Sequence, residues 1–295
     1  MKNPISYQAQ HFQIGLYQPD QFITAFSWTN GQDGNVTPVL RSRFQTQDGE
    51  NIDGFAKPFC TQDPYQSMCA LNEVTGWLLA KCYGLPCAER AFFIPISIDE
   101  LPPFIHGNLP SANENGLVMC FVTQAISNTA VRGLYSTDEL IREQAAWQYA
   151  DHTIAFDESV ANPDRHAFNL LRKGENDFYL IDHGFLGFDE SRPPVHTLPD
   201  SDSLSRLAFA NRLHQNSYIF LDRNNITATT QGYTNGMIFS ETMSDCFGRA
   251  AFELAFWCSQ LLPGKSAKWL NFLYNRSRSN LMSDLLHKRF GVLPI

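Results

Sequence analysis

The chain has 295 residues, 43% of them hydrophobic and 13% aromatic, which suffices for a sizeable core or two lobes and excludes disorder on any large scale. With 30 acidic against 22 basic side chains the net charge is −8, which argues against an extended nucleic-acid interface and the concentrated positive face it needs. No run of about 18 apolar residues occurs, and the N-terminal MKNPISYQAQHFQ lacks the apolar core of a signal peptide, so a soluble, cytoplasmic protein that does not enter the membrane is expected.

The first third reads as short β-prone runs, Ile23 to Trp28, Val39 to Thr46 and Gly54 to Phe59, separated by turns rich in Gly, Asn and Asp. The period then changes. From Gln66 to Tyr83 the apolar positions Met68, Leu71, Val74, Leu78 and Cys82 recur every three or four residues, the stripe of an amphipathic helix, which Gly84 and Pro86 end. Two more strands are expected at Ala88 to Ile96 and Leu117 to Thr123. Thr137 to Phe156 predicts a helix, with Thr137 as its cap and Asp138 and Glu139 in its first turn. A hairpin follows, Asn169 to Arg172 and Asp177 to Asp182 about the turn Lys173 to Asn176. Leu204 to Leu213, Ser244 to Leu262 and Lys265 to Leu286 read as further helices, the last two parted by Pro263-Gly264. The basic residues Arg276, Arg278, Lys288 and Arg289 read as a solvated helix surface. Seven cysteines, at 60, 69, 82, 87, 120, 246 and 258, form no Cys-x-x-Cys pair. They read as small buried hydrophobes of a reducing compartment, and no zinc site is expected.

The order is a strand-rich lobe with one helix, a connecting strand, and a mainly helical lobe. It predicts an α+β, bilobal, protein-kinase-like fold, with a nucleotide-binding lobe at 1–118, a hinge at 119–128 and a helical catalytic lobe at 129–295. The chemistry concentrates in the second part. In Pro163-Asp164-Arg165-His166-Ala167-Phe168-Asn169 and the later Asp182-His183-Gly184, three oxygen-bearing side chains stand five and thirteen residues apart. An Asp that orients an attacking hydroxyl, with an Asn and a second Asp holding magnesium against nucleotide phosphates, is the pattern of phosphoryl transfer. A surface turn would account for Asn162 to Asp164 but not for Asn169 or Asp182, which sit at the same end of the predicted hairpin. His183 reads equally as a phosphate contact or as a ring packed on this loop, and His166 as a site residue or as an orienter of Asp164.

Upstream, Lys57 ends a predicted strand and Glu73 follows sixteen residues later in the predicted helix. A strand lysine steadied by a helix glutamate would present a fixed positive charge to the α- and β-phosphates, although Lys57 alone reads as an edge-strand lysine. The loop Thr29 to Thr37, with Gly31, Gly34 and Thr37, lies where a phosphate-covering loop belongs, but it matches no nucleotide-binding signature.

Together these residues resemble the HipA-like serine/threonine kinases, within the wider group that includes the phosphatidylinositol kinases. The likeness is carried by Asn162 to Asn169, Ile181 to Gly184, Ala56-Lys57-Pro58, Glu73 and Tyr83-Gly84-Leu85-Pro86, and it spans about residues 20 to 190. It implies Asp164 as the catalytic aspartate, Asn169 and Asp182 as magnesium ligands, Lys57 as the phosphate-binding lysine, and Cys120, Phe121, Val122 and Thr123 as an adenine-facing hinge. ATP would then lie between the lobes. The resemblance implies ATP- and magnesium-dependent phosphorylation of a cytoplasmic protein, and from some family members it carries over a translation-related target and an antitoxin or regulatory partner. With few residues before the first expected strand, the additional N-terminal subdomain of the toxin members is not expected, and the expected phosphate loop is not rich in serine. A small-molecule or lipid kinase, and a pseudokinase serving as a nucleotide-binding regulatory module, are the competing readings. The acceptor would be read by Gly184 to Asp202, with Ser191, Pro193, Pro194 and Ser201.

Overall fold

Leu40, Ser42 and Phe44 are buried while Arg41, Arg43 and Gln45 are exposed, the two-residue period of a half-buried strand. In the computed structural model, which describes residues 12–29, 38–101, 112–127, 129, 135–199, 203–220 and 226–292, that strand is β3 (Val39–Gln45) of a six-stranded sheet. The others are β1 (Ile14–Leu16), β2 (Phe22–Thr29), β4 (Asn51–Phe59), β5 (Ala91–Ser97) and β6 (Leu117–Gln124). They lie in the order β1-β5-β6-β4-β3-β2, with β1 parallel to β5 and the remaining neighbours antiparallel. One sheet face is the core of this part, with Leu40, Phe44, Ile52, Phe92, Ile94 and Val122 among its members.

Helix α1 (Pro64–Cys82) begins as its sequence asks: Pro64 opens it and the Asp63 carboxylate accepts the Tyr65 amide at 2.8 Å. Met68, Leu71, Val74 and Leu78 are buried as the stripe predicts. Gly84, at φ 72, ends the helix in the left-handed region. The chain divides into two compact units, one of Met1–Ala70 with Ala88–Ser127, the other of Leu71–Cys87 with Asn128–Ile295. The two units interleave in sequence.

The second unit is mainly helical, as expected, around the hairpin β7 (Leu170–Gly174) and β8 (Asp177–Leu180). Its helices depart from the sequence reading in four places. The single helix over Thr137 to Phe156 is two, α2 (Thr137–Ala145) and α3 (Ala150–Val160), and the break lets Trp147 bury against Phe178. The cap is Ser136 rather than Thr137: its Oγ accepts the Glu139 amide while Glu139 reaches back to the Ser136 amide, a capping box. Leu204 to Leu213 is not one helix; a 3-10 turn at Leu204–Arg206 gives way to non-helical chain, and only Arg212 and Leu213 are helical, as the start of α4 (Arg212–Phe220). Helix α5 (Ile226–Glu241), unforeseen because of its Thr and Gly content, packs its Gly236 within van der Waals reach of Leu286 and Ala155. Helix α6 (Met243–Leu261) agrees with expectation, whereas Lys265 to Leu286 is split at extended Arg278 into α7 (Ser266–Ser277) and α8 (Ser279–Phe290).

The basic residues of those last helices are not all a solvated surface. Arg278 and Lys288 are exposed, but Arg276 is wholly buried and, with Arg289, pairs to buried Glu158. Four cysteines are buried and three half-buried, all as free thiols. Among the described residues no helix is long and apolar enough to cross a membrane.

Candidate active site

Helix α3 ends at Val160, and Ala161 turns the chain through the left-handed region at φ 54. Asn162 then locks the turn, donating from Nδ2 to Asp157 at 3.0 Å and accepting the Asp164 amide on Oδ1 at 3.0 Å. Asp164 and Asn169, five residues apart in sequence, meet: Asn169 Nδ2 donates to the Asp164 carbonyl at 2.7 Å and to its Oδ2 at 3.3 Å. Because both acceptors face the amide nitrogen, the Asn169 carbonyl oxygen is turned away from them as an oxygen donor for a cation. Asp164 Oδ1 meets Arg212 Nη1 at 3.2 Å.

Burial pushes the Asp164 carboxyl above the ordinary carboxylate range, and the nearby charge of Asp182 adds to this; His166, Arg212 and the Asn169 hydrogen bond pull it back. Asp182 itself stands just beyond β8 at φ 57, a left-handed conformation that Asp tolerates better than most residues and that recurs at functional turns. A Cβ placed on the next-but-one residue, Gly184, would lie 3.5 Å from Glu73 Oε1 and 3.9 Å from Asp182 Oδ1. Glu73, on α1 within the second unit, thus belongs to the same cluster, and its Oε2 accepts the His183 amide at 3.1 Å.

The centre of this arrangement is Arg165, which the sequence reading left without a role. It is completely buried. It pairs with buried Asp157 at 3.2 Å and donates to the carbonyls of Asn169 at 3.0 Å and Ile181 at 2.7 Å. Its Nη2 lies 3.1 Å from His183 Nδ1. A guanidinium can only donate, so His183 Nδ1 stands as the acceptor of this contact. Burial raises Asp157 to about 6, against the pull of Arg165 and Asn162, which leaves it ionised and paired at neutral pH. One side chain therefore joins the two stretches that carry Asp164, Asn169 and Asp182.

His183 is a packed ring, the second of its two expected roles. It faces α1 at Gly76, where a Cβ would stand 2.2 Å from its Cγ. Asn72, one turn earlier, donates to the carbonyls of Gly184 and Leu186, each at 2.9 Å. His166 caps the 3-10 turn Ala167–Asn169 through Nδ1, which accepts the Phe168 amide at 3.2 Å. Gln144 holds that turn by donating to the Ala167 carbonyl at 2.8 Å.

Lys57 lies in the first unit on β4, paired with Phe121 of β6. The four residues to which the resemblance gives the adenine-facing role lie within β6, where successive side chains alternate between the two faces of the sheet. Phe121 and Thr123 share the Lys57 face, whereas Cys120 and Val122 point into the opposite core. Moreover, β6 is flanked by β4 and β5, so the backbone of these residues is engaged on both sides. Gly31, Gly34 and Thr37 lie outside the described residues, as does Ser201.

Among the described residues no group of three or more His, Cys, Asp or Glu side chains could hold a metal ion. Asn169 and Asp182 still suit magnesium, which takes one or two protein oxygens and completes its shell with phosphate oxygens and water.

Sequence comparison finds no matching family model and no matching curated protein. The fold can be superposed on a solved structure of an apo pseudokinase with a TM-score of 0.35 and 8% sequence identity, over 96% of this chain and 99% of that one. A likeness at that level assigns neither family nor activity. The architecture stands by itself: a strand-rich unit built on the six-stranded sheet, and a mainly helical unit that holds most of α1 and bears the Asp164 loop and its hairpin, a mixed α+β order.

Proposed function

We propose that the chain is an ATP- and magnesium-dependent phosphotransferase of the HipA-like kind, acting on a serine or threonine hydroxyl of a protein. The observation that carries this reading is the direct contact between Asp164 and Asn169, with Asp182 brought to the same cluster by Arg165. In this reading Asp164 accepts a hydrogen bond from the acceptor hydroxyl and orients it for in-line attack. A carboxylate has about four acceptor positions, and those toward Arg212 and Asn169 leave room for the hydroxyl. Asn169 Oδ1 and Asp182 are the proposed magnesium ligands, and what the bound ion supplies is charge neutralisation at the phosphates. Lys57, on the sheet face shared with Phe121 and Thr123, is the proposed phosphate contact of the first unit. The site's contribution is placement and fixed charge rather than covalent chemistry.

The test compares wild type with Asp164→Ala, using radiolabelled ATP and a cell lysate. A protein band labelled by wild type alone is expected, with magnesium–nucleotide binding of the variant still measurable by calorimetry. Equal labelling by the variant would remove Asp164 from the reaction. Nucleotide binding by wild type without transfer to any acceptor would instead make the chain a nucleotide-binding module.

A further inference from the structure

Arg212 is the first residue of α4, and its guanidinium closes the Asp164 carboxylate on the side opposite Asn169. The pair is partly exposed, with side-chain exposures of 43% and 28%, and such surface ion pairs add little to stability. What distinguishes Arg212 is the set of arginine and asparagine hydrogen bonds, most of them buried or half-buried, that holds the chain leading to it. In residues 205–209, four backbone carbonyls are taken by arginine side chains rather than by helical amides. Arg276 Nη1 donates to Ser205 and Leu207 at 2.9 Å each, Arg192 Nη2 to Ala208 at 2.8 Å, and Arg289 Nη2 to Phe209 at 2.5 Å. Asn211 then donates to the Ile154 carbonyl at 3.0 Å and to Glu158 Oε1 at 3.2 Å, and its own Oδ1 accepts the His214 amide to cap α4.

This strap and the Asp164 loop are referred to the same turn of α3. Asp157 anchors Arg165, and with it the loop. The next residue, Glu158, receives Arg276, Arg289 and Asn211, and with them the strap. Two adjacent acids therefore set how far Arg212 stands from Asp164.

We propose that Arg212 is a positioning residue for Asp164, delivered by a strap that the arginines of α7 and α8 fasten to α3. Only the catalytic half of this assignment rests on the phosphotransfer reading. Held at Oδ1 by Arg212 and at Oδ2 by Asn169, the carboxylate keeps one orientation toward the acceptor, and Glu190, 4.0 Å from Arg212 Nη2 and fully exposed, is the competitor for the guanidinium.

The experiment compares Arg212→Gln and Arg212→Lys with wild type and with Arg278→Gln, an exposed arginine whose side chain takes no part in the contacts named above. Crystal structures should show the Asp164 carboxylate rotated out of its place in Arg212→Gln and restored in Arg212→Lys. In phosphotransfer assays kcat of Arg212→Gln should fall about 10- to 100-fold, with KM for ATP within about twofold and the thermal midpoint unchanged. Arg212→Lys should recover part of the loss, and Arg278→Gln should match wild type. An unmoved Asp164 in Arg212→Gln, or a wild-type kcat, overturns the proposal; so does a loss shared between KM and thermal midpoint, which marks a merely structural residue. If wild type binds magnesium–nucleotide but transfers nothing, the phosphotransfer reading fails, and the Asp164 orientation in the crystal alone decides the role of Arg212.

Discussion

Arg165 and Gly76 show how single residues position the candidate site without touching its chemistry. A fully buried guanidinium is costly unless every donor finds a partner, and here Asp157, two carbonyls and His183 take them. Gly76 has the opposite role. In mid-helix a glycine costs about 1 kcal/mol against alanine, so its presence signals a close neighbour, which is the His183 ring. Gly76→Ala should destabilise the chain by roughly 2–3 kcal/mol in urea titration, the cost of overpacking a rigid contact. Combined with His183→Ala it should cost at least about 1 kcal/mol less than the two changes summed, because the ring that clashes is gone; strict additivity would refute the contact. At this scale the candidates Asp164, Asn169 and Asp182 could be picked out of the sequence by type and spacing, and the contact of Asn169 with Asp164 is what the structure adds. Arg165, Asn72 and Arg212 were not, because their partners are main-chain atoms or residues far along the chain.

Elements followed the sequence where local signals agreed and departed from it where side chains replaced the backbone. Helix α1 had its proline, its apolar stripe and its terminal glycine, and it formed close to the expected bounds. Leu204 to Leu213 had an apolar content that suits a helix, yet its carbonyls are bound by guanidinium groups, and an acceptor engaged that way is not directed at an amide four residues on. Helix α5 formed against its own propensity, since packing on α3 and α8 outweighs the cost of Gly232 and Gly236. Arg276 carries the greatest weight here, being buried against Glu158 and stacked near Phe209 and Phe272. Arg276→Met should lower stability by about 1–3 kcal/mol, since Glu158 keeps Arg289 but the carbonyls of Glu158, Ser205 and Leu207 lose their guanidinium donor. Limited proteolysis should then cut faster after Arg206 on the strap; an unchanged denaturation midpoint with an uncut strap would contradict this account.

For the whole molecule, pH exposes a further buried group. His196 stacks on Trp269 with ring centroids 4.0 Å apart, and neither ring nitrogen has a hydrogen-bond partner among the described residues. Burial lowers it to about 3 from its ordinary 6.5, and the Lys268 charge adds to the shift. Between those values the unfolded chain holds the extra proton, so the histidine's contribution is present above about 6.5 and is lost as pH falls toward 3. Asp157, raised to about 6, acts in the opposite sense over its own window, so the two are separated by a variant. Relative to wild type, His196→Leu should gain about 2 kcal/mol between about pH 7 and pH 5, at about 1.4 kcal/mol per unit over the 1.5 or so units below 6.5. A stability difference that stays constant with pH would show that His196 is not held neutral. The sequence by itself determined the α+β character and the strand-rich and helical parts, and it singled out Asp164, Asn169 and Asp182 as candidates, because these depend on periodicity and on residue type at short spacing. Only the tertiary structure decided that Arg165 joins the loop to the hairpin, that Cys120 and Val122 face a core, and that Arg212 meets Asp164. Those facts depend on which distant residues share a buried space, and no local pattern encodes that.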